Sequence, residues 1–179
     1  EVAYPYPFMN SGPVFDIQRV EVLKGPQGTL FGRNTTAGLI NMVTNKPSDQ
    51  FEGSVSADVG NYDTWNLEGM LNVPVNDSLA LRLNLFSNQR DGTVPALSGP
   101  ALGDVDTRTW RVSALWKFSE RGRLRYTYDN NEVDQDGAAR VSINDASPGG
   151  NDPFGPTTTD VTLNQERRDL EGHGLQLNY

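Results

Sequence analysis

Three glycines and two cations in "LKGPQGTLFGRN", residues 23–34, are the first side chains whose types and spacing suggest chemistry. Gly25, Gly28 and Gly32 follow a strand-like "RVEVLK", with Lys24 and Arg33 beside them. Glycine-rich turns of this kind cradle phosphates when their amides converge and a lysine closes the loop. Here Gly32 is followed by Arg33 and Asn34, where a Walker loop needs Lys and then Ser or Thr. A dinucleotide loop needs G-x-G-x-x-G opening a long helix, and neither the spacing nor a helical pattern is present. What is left is tight-turn chemistry: glycine for positive φ and close approach, and Pro26 to stiffen the turn. A second constellation, "DNNEVDQDG" at 129–137, sets Glu132, Asp134 and Asp136 before Gly137 in an echo of a calcium loop. Its bidentate glutamate is missing, since that position is Ile143, so an acidic surface segment is the better reading. His173 is the only histidine, which excludes a histidine-based cluster, and no credible Ser-His-Asp arrangement is present. The residues assign no catalytic group, no metal ligand and no cofactor.

The elements that carry these residues fall into two styles. The chain has 179 residues, a net charge of −8 and no cysteine, with a pI near 4.6 and a mean hydropathy of −0.55. An acidic chain is a poor partner for nucleic acid, whose phosphates call for a basic face. No apolar run approaches the roughly 20 residues of a spanning helix, and no disulfide framework exists. Up to Pro47, short apolar runs sit between Gly and Pro clusters. "RVEVLK" and "LINMVTN" read as strands and "FDIQ" (15–18) as one helical turn, which makes residues 1–47 a small mixed α/β piece.

Beyond Pro47 the pattern has period two. Leu79, Leu81, Leu83 and Leu85 alternate with Ala80, Arg82 and Asn84. Trp110, Val112, Ala114, Trp116 and Phe118 alternate with Arg111, Ser113 and Lys117. The same holds for 51–60, 64–73, 123–129 and the last ten residues, which makes about six antiparallel strands. A secreted β-sandwich and a transmembrane barrel both show this alternation, and strand length and connections separate them. Runs of about 9–12 residues suit a tilted bilayer crossing, whereas soluble strands cluster near 5–6. Short turns at 74–78 and 119–122 alternate with long connections at 91–106 and about 130–168, the barrel pattern. Phe51, Tyr62, Trp65, Trp110, Trp116 and Phe118 lie near strand ends, where interfacial girdles belong. Trp65, Leu67, Leu71, Leu81, Leu83, Leu85, Val112 and Trp116 are expected to face lipid, and Arg82, Asn84, Arg111 and Arg125 the lumen. Six strands are fewer than the roughly eight of the smallest barrels, and the sixth stops in mid-pattern at Tyr179, so the chain is expected to be a piece of a longer barrel.

The glycine stretch then acquires a specific likeness. "FDIQRVEVLKGPQGTLFGRNTTAGLINMVTNKP", residues 15–47, resembles the C-terminal half of the plug domain of TonB-dependent outer-membrane receptors. The family's string runs through Val20–Pro26, Leu30–Gly32, Ala37–Gly38, Ile40–Asn41 and Lys46–Pro47, with Ala37 where glycine is common. The motif residues are therefore Lys24, Gly25, Pro26, Gly28, Gly32, Gly38 and Asn41. The resemblance implies an all-β transmembrane barrel preceded by part of a small α/β plug, with residues 1–47 in the plug and 48–179 in the first barrel strands. It implies a 22-stranded whole in the outer membrane of a Gram-negative bacterium, a contact with outer-membrane lipid, and an extracellular ligand of the ferric siderophore kind. It implies energy from the TonB complex of the inner membrane, delivered through an N-terminal segment outside this chain. Lys24 is implied to join a buried ion-pair cluster between plug and wall, its carboxylate partners on later strands. A binding-only, adhesin-like surface protein is the alternative, and a pore filler has no use there. By the same implication the short turns are periplasmic. The segment 130–168 carries seven acidic and three basic side chains, half the chain's net charge, and is expected outside the cell.

Overall fold

A computed structural model describes residues 14–31, 35, 37–94, 100–136 and 165–179. Two antiparallel sheets account for nearly all of them. The smaller pairs β1 (Ile17–Lys24) with β2 (Gly38–Thr44), joined through the single helical turn α1 (Gly28–Phe31). The larger is a meander of β3 (Glu52–Gly60), β4 (Thr64–Asn76), β5 (Leu79–Arg90), β6 (Val105–Lys117), β7 (Arg123–Asp136) and β8 (Gln165–Asn178), each paired only with its chain neighbours.

Several expectations are corrected in detail. "FDIQ" forms no helical turn. Ile17 and Gln18 open β1, whose β-branched Ile17, Val20 and Val22 favour extended backbone, and Asp16 before them sits at φ 51°. β7 continues to Asp136 and β8 begins at Gln165, so both ends of the segment read as one long loop are strand. Glu132, Asp134 and Asp136 therefore lie on an extended strand, which cannot wrap a cation as a calcium loop does. Gly32, Arg33, Gly137, Ile143 and the stretch 137–164 fall outside the described residues. The turns at 74–78 and 119–122 are present. Asn76 Oδ1 accepts from the amides of Ser78 and Leu79, both at 2.9 Å, and Ser119 Oγ accepts from Gly122 N at 2.8 Å. A third tight turn, at Asn61–Asp63, joins β3 to β4 on the opposite rim, with Tyr62 and Asp63 at φ 60° and 47°.

The register sorts side chains into rows. One row crosses the sheet as Gly53, Leu71, Leu83, Val112, Tyr128 and His173, the next residues over as Glu52, Asn72, Arg82, Ser113, Thr127 and Gly174. The two faces invert the usual order of a soluble protein. Asn72, Asn84 and Arg82 are 0 %, 1 % and 5 % exposed, whereas Leu83 and Leu85 are 37 % and 49 % exposed. Leu71, Leu81, Trp110, Val112 and Trp116 share the outward face. Aromatics bracket it at two levels: Trp116 packs on Phe118 with ring centroids 5.7 Å apart, and Trp110 on Tyr128 at 5.0 Å. Trp116 and Trp110 stand six residues apart on β6, about 20 Å along a strand and close to the roughly 25 Å apolar band of an outer-membrane barrel. The sorting of these residues onto two opposite faces, read from the alternation, holds.

Candidate functional site

The polar face is buried because the segment leading into β1 lies on it. Arg82, on the inward face of β5, meets Asp16 in a two-pronged contact. Its Nε donates to Oδ2 at 2.9 Å and an Nη to Oδ1 at 2.6 Å. The two side chains are 6 % and 5 % exposed. A second Nη of Arg82 lies 3.7 Å from Glu52 at the start of β3. Planar guanidinium and carboxylate match in shape, so the pair fixes orientation as well as distance. The left-handed φ of Asp16 turns its side chain toward the wall, and Asp tolerates that conformation better than most residues. Asn45, just beyond β2, closes the same point: its amide donates to Asp16 O at 3.0 Å and its Nδ2 to Asp16 Oδ1 at 2.8 Å. Both ends of the hairpin thus converge on one guanidinium.

Aromatic packing frames that pair. Phe15, 4 % exposed, stacks on Phe86 of β5 with centroids 5.8 Å apart. The Arg111 guanidinium sits 4.8 Å from the Phe15 ring centroid and is held there by an ion pair with Asp129. Downstream, Asn72 of β4 pins the exit from the hairpin. It accepts from Ser48 N at 3.0 Å and donates to the carbonyls of Ser48 and Gln50 at 3.0 and 2.6 Å. Lys117 reaches Asp49 at 2.6 Å beside the short-turn rim.

Most of the motif residues lie at the other end of the hairpin from this anchor, where Lys24 pairs with Gly38. The amides of Gly25 and Gln27 donate to the carbonyls of Ala37 and Thr35 at 3.2 and 2.9 Å, so these two are occupied by the loop itself. That arrangement is a self-closed turn, not a phosphate cradle. Gly25 takes φ 84°, Pro26 is exposed after it, and Gly28 opens α1 with open space around it. Lys24 is exposed at the end of β1. Asn41 pairs with Glu21 across the hairpin and donates to its carboxylate at 2.9 Å. That bond, with a further one from Arg19, holds the Glu21 carboxyl below the usual carboxylate range. The hairpin therefore gains from ionised Glu21 at neutral pH and loses that support as acid protonates it. Gly38 is the strictest position. At φ 140° a Cβ would stand 2.5 Å from the Leu23 carbonyl oxygen, which is backbone and cannot swing away. Gly38→Ala should weaken the hairpin by about 1–3 kcal/mol, read as faster proteolysis between residues 17 and 44 in the folded protein; an unchanged cleavage rate would show that the backbone accommodates the methyl group.

Sequence reasoning placed Arg82 on the inner face but not its partner. Asn72 belonged to the polar side of its strand and Phe15, Asp16 and Asn45 to the plug-like string, but nothing in the sequence signalled their contacts with the sheet or with one another. At the opposite rim Tyr62, Asp91, Asp104 and Asp136 line a shallow cleft.

With that geometry in view, the comparisons are specific. Residues 4–39 match the family model described as the TonB-dependent Receptor Plug Domain. The metal-pseudopaline receptor CntO of Pseudomonas aeruginosa is 30% identical over 131 residues, 70% of this chain and 18% of that protein. The pesticin receptor of Yersinia enterocolitica is 34% identical over 99 residues, 55% of this chain and 14% of that protein. Among solved structures, the ferric yersiniabactin uptake receptor FyuA of Yersinia pestis superimposes with a TM-score of 0.66 at 28% identity, over 73% of this chain and 21% of that one. The ferripyoverdine receptor of Pseudomonas aeruginosa shares the fold, with a TM-score of 0.71 at 17% identity, over 92% of this chain and 22% of its own. The chain thus spans about a fifth of the length of the proteins it matches. By its plug match, its identity to named receptors and its partial antiparallel barrel, the chain belongs to the TonB-dependent receptor family.

Proposed function

We propose that this chain is the plug-to-wall portion of an outer-membrane receptor that imports a scarce solute of the ferric siderophore class, driven by the TonB complex. In that reading residues 1–47 are the end of the plug and 48–179 the first wall strands. The observation that carries it is the inverted sheet: Asn72, Arg82 and Asn84 are buried on one face, Arg82 against Asp16 and Asn72 against Ser48 and Gln50, while the leucines of β5 point outward. Such a surface is stable where hydrocarbon lies outside and a filled polar lumen inside. The relative named for metal-pseudopaline and the solved receptor named for ferric yersiniabactin uptake support the ligand class. Lys24 then reaches carboxylates on strands beyond β8, and the protein works as a transporter and not as a catalyst.

Growth on a panel of ferric siderophores under iron limitation tests this in cells whose only such receptor is the one containing this chain. At least one chelate should support growth, and deleting TonB should abolish it. Binding of a chelate at the surface with no accumulation inside would instead favour the adhesin-like alternative. Orientation is checked separately. In this reading the turn at Asp77 faces the periplasm and that at Asn61 the exterior. Cysteine at Asn61 should react with an impermeant thiol reagent on intact cells, and cysteine at Asp77 only after lysis; the opposite pattern would invert the assignment.

A further inference from the structure

We propose that the Asp16–Arg82 pair is a tie that seats the hairpin β1–β2 on the barrel wall and keeps the lumen sealed. The proposal rests on the receptor reading but not on the identity of the ligand. Three independent features meet at the pair. Both charges are almost wholly withdrawn from solvent, at 5 % and 6 % exposure. The hairpin's two ends reach it together, Asp16 directly and Asn45 through Asp16. Phe15, adjacent to Asp16 in the chain, stacks on Phe86 of the strand that carries Arg82 and lies beneath the Arg111 guanidinium. No other ion pair among the described residues joins β1, β2 or the segment leading into them to the six-stranded sheet.

Because both members are buried, the pair has a signature that general loosening would not produce. Removing one member strands the other in a dry site, while removing both leaves neutral groups to pack. The two single changes are also unequal. Asp16→Asn leaves Arg82 with Glu52 at 3.7 Å, whereas Arg82→Met leaves the Asp16 carboxylate with Asn45 alone.

The test uses the full receptor in cells lacking TonB, so that transport plays no part, with entry of vancomycin as the probe and surface-labelled receptor as the normaliser. Arg82→Met should raise entry about tenfold or more, Asp16→Asn should raise it less, and the double variant should leak less than Arg82→Met alone. Arg82→Lys keeps the charge without the two-pronged grip and should be intermediate, which secures a result where methionine blocks assembly. Singles that leak no more than the parent, or a double variant as leaky as both singles combined, would overturn the tie. Since uptake is not measured, a wrong ligand class would leave these outcomes unchanged, and a leak without the predicted order would fail the tie alone.

Discussion

Arginine in place of Leu83 is expected to remove about 2–4 kcal/mol of folded stability in a bilayer, the cost of a cation on the lipid face near the midplane. Leu83 sits at the centre of the outward row, with Leu71 on one side and Val112 on the other. Its partner on β6, Val112, lies between the two aromatic levels, two residues from Trp110 and four from Trp116. The same change one residue away, at Asn84, would place the cation on the inner face beside Arg111 and cost far less in lipid terms. Reversible unfolding of the receptor from vesicles measures the difference. Equal losses at positions 83 and 84 would show that the two faces do not see different solvents.

Asn72→Leu is expected to free the linker between hairpin and barrel. Asn72 is wholly buried, and its amide serves three backbone groups of Ser48 and Gln50. Leucine is similar in size but leaves those groups unpaired, at about 1–3 kcal/mol for each that stays away from water. The wall row Glu52–Asn72–Arg82 loses its middle member with the change, so the Arg82 tie should loosen too. Limited proteolysis of the folded receptor at 46–50 should accelerate strongly, and Asn72→Asp, which keeps the acceptor, should do so less. A linker as resistant as the parent's would mean that Asp49–Lys117 alone suffices to hold it.

What the chain's own residues declare is local. Period-two alternation is written within each strand, because neighbouring side chains must point to opposite faces whatever the strand pairs with. Hence the outward leucines of β5, the inward Arg82 and Asn84, and the six-strand meander were all legible. So was the turn chemistry of 74–78 and 119–122, and the glycine stretch could be read as turns from spacing alone. Strand ends were read less well: β7 runs on through Asn130, Asn131 and Asp136, because pairing with β8 supplies hydrogen bonds to residues whose own preferences favour a loop. The anchor lay beyond reach for a different reason. Asp16 and Arg82 are 66 residues apart, and nothing in either neighbourhood distinguishes a paired aspartate from a solvated one. Only the tertiary fold, by laying Phe15 and Asp16 on the polar face of β5 and β6, decides which charge is buried. Burial then makes the pairing compulsory, because a guanidinium removed from water must find its carboxylate.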